Sequence, residues 1–418
     1  MNVRTSINII VAALVGISLA ASPAVVRAEF KTEKGWSGHL FSSYIIATAA
    51  IKLPAKSADG DEDSTTVLGD RQGLLGVTIE ADEDEQPIKV TITCDSIMEP
   101  SVFSCTLPEA GETYTINPKI KYKYDQLAKR SQTGPVTVTY KVEIGDAEAE
   151  EETETLTLRS VNDCPFVVVK DGAKRDVSFM FAAYVNEQHP FVDNVLREAL
   201  DTEIVDSFTG YQTKNKKDVY RQAYALWHAL SKRDVRYSSI TTSVAQSETV
   251  GSQHVRLIEE SINNGQANCV DGSVLMASLL RKIGVEPLLV IVPGHCYLAF
   301  SLDAEGKEVA ALETTLIGSV VENDTLKVNG LEDVVDEDSQ EENSWKTFKA
   351  AIATGVTNLN KNAKNFQDAK KSDYQLISVV AARKLGILPI AFQANQRFVA
   401  APADDPANES DDDDDSKK

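Results

Sequence analysis

Gly265-Gln266-Ala267-Asn268-Cys269-Val270-Asp271-Gly272-Ser273-Val274-Leu275-Met276-Ala277-Ser278-Leu279-Leu280-Arg281-Lys282-Ile283-Gly284 is the most informative stretch of this chain. Val274, Leu275, Ser278, Leu279 and Lys282 recur at helical spacing and predict a helix packed on one face. Gly284 is its natural stop. Asn268 is suited to the N-cap, which puts Cys269 in the first turn. There the free backbone N–H groups and the helix dipole favour a thiolate. The same amides can stabilise an oxyanion.

Two strands are expected downstream. Leu288–Val292 is a continuous apolar run, and Tyr297–Leu302 extends it beyond Pro293-Gly294-His295-Cys296. Asp303-Ala304-Glu305-Gly306 has turn composition, and a further strand is expected from Glu308 to about Thr314. If those four residues form the loop, Leu302 pairs with Lys307, and His295 and Glu313 come opposite each other within one position. A carboxylate beside an imidazole fixes its tautomer and stabilises the imidazolium. On a strand, Cys296 points to the face opposite His295, so Cys269 is the candidate nucleophile. Zinc held by Cys269, His295 and Cys296 is the competing reading. It lacks a close-spaced ligand pair on one face, and no metal is expected.

A cysteine at a helix start, a histidine on a strand and an acid on the next strand resemble the transglutaminase-like core, with its papain-type Cys-His-acid arrangement. The Cys269-to-His295 spacing fits that family, and Val235-Arg236-Tyr237 is similar to its lead-in after the first core helix. The resemblance covers about Val219 to Gly318. Glu313 stands where the family usually has aspartate. The resemblance implies a cysteine peptidase, amidase or transglutaminase-like acyltransferase working through a thioacyl intermediate. Cys269 is then the nucleophile, His295 the proton carrier and Glu313 the orienting acid. It implies no cofactor. Gln266 is the nearest candidate for an oxyanion side chain, with Gln253 a weaker one. The alternative is a catalytically inactive transglutaminase-like module that binds or assembles components of the cell envelope.

From Leu74 to Val169 the chain alternates with period two, as in Val136, Val138, Tyr140, Val142 and Ile144. Short antiparallel strands over about a hundred residues predict a β-sandwich-like domain. The expected fold class is therefore α+β: an all-β domain, then a papain-like core of helices packed on an antiparallel sheet. Cys94 and Cys105 flank a turn containing Pro100 and are a possible disulfide. After Cys164-Pro165 the period changes, and Val219, Tyr220, Ala223, Leu226, Trp227 and Leu230 mark a helix with one buried face. Trp227 and His228 are expected to serve in packing. Further helices are expected over Trp345–Thr354 and Tyr374–Leu385.

The chain has 418 residues, 42% of them hydrophobic, and carries a formal charge of −21. This permits a substantial core and disfavours nucleic acid, which needs a cationic face. A protein or peptide substrate is the expected partner. The acid is concentrated in runs such as Asp59–Asp63, Asp146–Glu154, Glu332–Glu342 and Asp404–Asp415. Such runs stay solvated, and Asp59–Asp63 lacks the spacing of a calcium loop. Arg4, the apolar run Ile7–Ala21 and Val26-Arg27-Ala28 read as a secretory signal peptide. The mature chain is then periplasmic or secreted, with no stable membrane insertion. The expected organisation is a signal peptide (1–28), an extension (29–66), the β domain (67–170), the transglutaminase-like domain (171–330), a helical extension (331–398) and a disordered acidic tail (399–418). Five cysteines leave at least one thiol unpaired in a monomer.

Overall fold

A computed structural model describes residues 29–51, 66–170, 172–239, 249–321, 326–390, 396–399 and 401. The signal-peptide segment, the Asp59–Asp63 run and nearly all of the acidic tail lie outside these residues. The chain is mixed α+β. Among the described residues no helix is long and apolar enough to cross a membrane.

The N-terminal half forms a four-stranded and a five-stranded sheet. Period-two alternation explains both: in Gln86–Thr93 the residues Ile88, Val90 and Ile92 turn inward while their neighbours face out. Leu75, Val77 and Ile116 from one sheet join Val90, Val138 and Leu156 from the other in a common core. Residues set aside above as an extension supply a strand to each sheet, Phe30–Lys34 and His39–Phe41.

The Cys94–Cys105 disulfide is not formed; both thiols are free. Cys105 lies opposite Ile88 in the pairing of Gln86–Thr93 with Ser101–Leu107. Cys94 lies six positions further along, roughly 20 Å at the rise of a strand. A disulfide needs Cα atoms within about 7 Å. The chain turns at residues 95–97, and Pro100 lies between the strands Met98–Glu99 and Ser101–Leu107, so the two cysteines sit at opposite ends of the hairpin.

The second half is built on a four-stranded sheet, in the order Val309–Leu312, His295–Ser301, Pro287–Val292, Gln375–Ser378. The helix Cys269–Lys282 covers one face, where Cys296, Leu298 and Phe300 join the main core. The helix Asn343–Phe366 covers the other, burying Val290, Tyr297, Ala299 and Ala311. This helix extends well past the expected Trp345–Thr354 and is an integral layer of the sheet. Its close approach rests on Gly355, where a Cβ would stand 2.6 Å from the Ala311 carbonyl carbon. The helix Lys216–Lys232 ties into it through Trp227, whose Nε1 donates to Thr347 Oγ1 at 3.1 Å. Trp227 and His228 are both buried. Of the helix expected over Tyr374–Leu385, only Val379–Leu385 is helical. Gln375–Ser378 pairs with Pro287–Val292 as the outer strand, because that edge offers a backbone ladder.

Candidate active site

Cys269 is the first residue of its helix, as its capping sequence requires. Asn268 Oδ1 accepts the N–H groups of Val270 and Asp271 at 2.8 and 2.9 Å. Asp271 Oδ2 accepts the Asn268 N–H at 3.0 Å, completing a reciprocal capping box. Asp271 is fully buried and also takes the Arg256 N–H at 2.8 Å and its Nη1 at 2.7 Å. The helix start is thus pinned from below.

His295 is placed by a two-residue hairpin loop. Val292 pairs with His295, so Pro293-Gly294 is the whole turn. Gly294 has φ +71°, which favours glycine after a proline that presets the preceding angle. Across the next hairpin Ser301 pairs with Val309, making the loop one residue longer than expected. The one-position shift has a consequence. It puts Glu313 two positions from the site directly opposite His295, on the same face of the sheet, where diagonal neighbours meet. His295 Nε2 and Glu313 Oε2 are 2.8 Å apart.

Glu313 is 5% exposed. Its N–H donates to the Ala351 carbonyl at 3.0 Å, so the C-terminal helix fixes its backbone. Its Oε1 accepts from Thr315 Oγ1 at 2.8 Å. Burial pushes its pKa up, but hydrogen bonds from His295 and Thr315 outweigh this and leave it lowered. His295 is pushed up to about 10, first by its hydrogen bond with Cys269 and then by that with Glu313, against the effect of burial. Its ring stacks on Tyr297, centroids 5.9 Å apart. Cys296 is 2% exposed, and burial pushes its thiol well up. Among the described residues no group of three or more His, Cys, Asp or Glu side chains is placed to hold a metal ion.

The imidazolium predicts a pH dependence. An unfolded ring titrates near 6.5, and the folded one near 10. The raised folded value means His295 contributes its full stabilisation below about 6.5 and loses it as pH rises to 10. Calorimetry of wild type and His295→Gln between these limits is expected to show a Tm difference that shrinks with rising pH. A constant difference would contradict the pairing.

Cys269 and His295 line a cleft of about 410 Å³ with Tyr237, Gln253, Phe166 and Ile291. Gln266 is not among its lining residues. It is exposed on the strand Gln266–Ala267, beside Arg236, and faces a separate groove. Adjacency in sequence suggested it, but the strand-to-helix corner at Asn268 turns it away. Gln253 reaches the cleft from the strand Val250–His254. Tyr237 is also brought there, because Arg236–Tyr237 pairs in parallel with Gln266–Ala267. Burial, then the charges of Cys269 and Glu313, raise its pKa. The Val235-Arg236-Tyr237 signal was visible in the sequence; its proximity to Cys269 was not.

No protein-family model matches the chain, and no curated protein is significantly similar to it.

Proposed function

We propose that the protein is a cysteine acyl-transfer enzyme with a transglutaminase-like core, acting on a peptide or carboxamide in a periplasmic or secreted setting. The observation that carries this reading is the set Cys269–His295–Glu313: a thiol at a helix start lining one cleft with an imidazole that a buried carboxylate holds at 2.8 Å. The Cys269 thiolate attacks the carbonyl carbon, forming the C–S bond. The oxygen gains negative charge beside the helix N-terminus. Asn268 already occupies the N–H groups of Val270 and Asp271, which leaves that of Cys269 for the oxyanion. Gln253 and Tyr237 supply side-chain donors in the same cleft. His295 gives its proton to the leaving nitrogen as the C–N bond breaks. Water or an amine then resolves the thioester. The N-terminal half serves as a binding or spacer module.

Labelling tests the reading. Iodoacetamide at neutral pH is expected to modify Cys269 at least tenfold faster than the other thiols, because a thiolate and not a thiol is the nucleophile. Peptide mass mapping identifies the site. His295→Ala should slow the labelling. Equal labelling of Cys105 and Cys269, or indifference to His295→Ala, would count against catalysis and favour an inactive binding module.

A further inference from the structure

A second imidazole faces the same cleft. His254 ends the strand Val250–His254, and its cross-strand partner is Asp163 of Asp163–Lys170. His254 Nδ1 stands 3.6 Å from Asp163 Oδ1. Asp163 is 4% exposed, and its Oδ2 accepts from Thr133 Oγ1 at 3.0 Å. A buried carboxylate favours donors or positive charge beside it, and the imidazole stands on its Oδ1 side. With Nδ1 turned toward Asp163, Nε2 is the ring nitrogen left for a further partner. His254 is 30% exposed at its side chain and lines the cleft with Cys269. Among the described residues Nε2 has no hydrogen-bond partner. His295, by contrast, is committed to Glu313 through Nε2 and to Cys269 as well.

We propose that His254, oriented by Asp163, takes the proton of the acyl acceptor in the second half of the reaction. The acceptor is water or a neutral primary amine, and no lysine or arginine is among the described residues that line the cleft. This rests on Cys269 being the nucleophile. The acceptor oxygen or nitrogen bonds to the thioester carbonyl carbon, and its proton passes to His254 Nε2. The C–S bond breaks, and its electron pair returns to Cys269 as thiolate. His295, which gave its proton to the first leaving group, regains one from water, and His254 releases one to water. Asp163 acts as a positioning residue.

p-Nitrophenyl acetate separates the two halves. Wild type is expected to release a stoichiometric burst of p-nitrophenolate, followed by slower turnover. His254→Gln should keep the burst amplitude and rate, lose roughly 100-fold in steady-state turnover, and accumulate an acetyl adduct on Cys269 by intact mass. Free imidazole should partly restore turnover to His254→Gly, which a merely structural role would not allow. Stoichiometric alkylation of Cys269 by iodoacetamide checks that the variants are folded. Turnover of His254→Gln at the wild-type rate overturns the proposal and leaves both halves to His295. Loss of the burst in His254→Gln also overturns it. Absence of a burst and adduct in wild type overturns the nucleophile assignment, and this proposal with it.

Discussion

Cys269→Ala is expected to abolish acyl transfer, by about 10⁴-fold or more, since removing the nucleophile of such a triad leaves only binding and oxyanion stabilisation. Cys269→Ser should be almost as inactive. A serine hydroxyl is a far weaker nucleophile than a thiol and would have to lose its proton during the attack itself. Glu313→Gln should retain part of the rate, because Thr315 can still hold the side chain in place while the imidazolium loses its countercharge. The assay is release of p-nitrophenolate in a single-turnover burst, with the Tm recorded in parallel. Cys269 is only partly buried and anchors none of the capping hydrogen bonds through its side chain, so its alanine variant should stay folded, with a Tm lowered by the loss of its contribution to His295. Full activity in Cys269→Ala would exclude this thiol from the chemistry. It would leave the protein as a binding module whose histidine–glutamate pair is structural.

The local elements of the site were legible in the sequence because their signals are local. Asn268 before an apolar period announces the cap, Pro293-Gly294 announces the turn, and the order cysteine, histidine, acid follows from neither needing a distant partner. The hairpin register was off by one because the Asp303 carboxylate accepts three backbone N–H groups, from Glu305, Lys307 and Glu308. That draws Lys307 into the loop and leaves the Glu308 carbonyl to take the Leu302 N–H just ahead of the strand Val309–Leu312. Nothing in local propensity encodes such a side-chain-to-backbone competition. Tertiary placement was the larger gap. The helix Asn343–Phe366 looked like an extension because its partner face is made by residues far back in the chain. Ala351 and Gly355 carry the evidence, since small residues at that spacing permit close contact, but the sequence does not say with what. The Gln266 assignment failed for the same reason. Chain proximity to Cys269 stood in for spatial proximity, and the residue that shares the cleft, Gln253, comes from a strand paired to the end of the β half.

Asp271→Ala is expected to be the most destabilising single change near the site, at about 3–5 kcal/mol. Asp271 is fully buried and accepts hydrogen bonds from the Arg256 backbone, the Arg256 guanidinium and the Asn268 N–H. Truncation would remove one carboxylate partner of a guanidinium that is only 17% exposed and leave the Asn268 amide without its acceptor. The cost is that of buried donors each losing a charged acceptor, which exceeds the value of an intact pair. Asp271→Asn separates the two contributions. It keeps the shape and one acceptor oxygen but supplies no charge for Arg256, so a smaller loss is expected. Urea titration with tryptophan fluorescence measures the free-energy loss of both variants, and thermal unfolding is expected to show a Tm decrease for Asp271→Ala on the order of 10 °C. The helix start that presents Cys269 depends on the same carboxylate. Iodoacetamide labelling of Cys269 in the still-folded fraction should therefore slow as well, because Asn268 no longer holds the first turn in place. If Asp271→Ala were neutral in stability and labelling, the capping box and the buried Arg256–Asp271 pair would not be what positions the thiol.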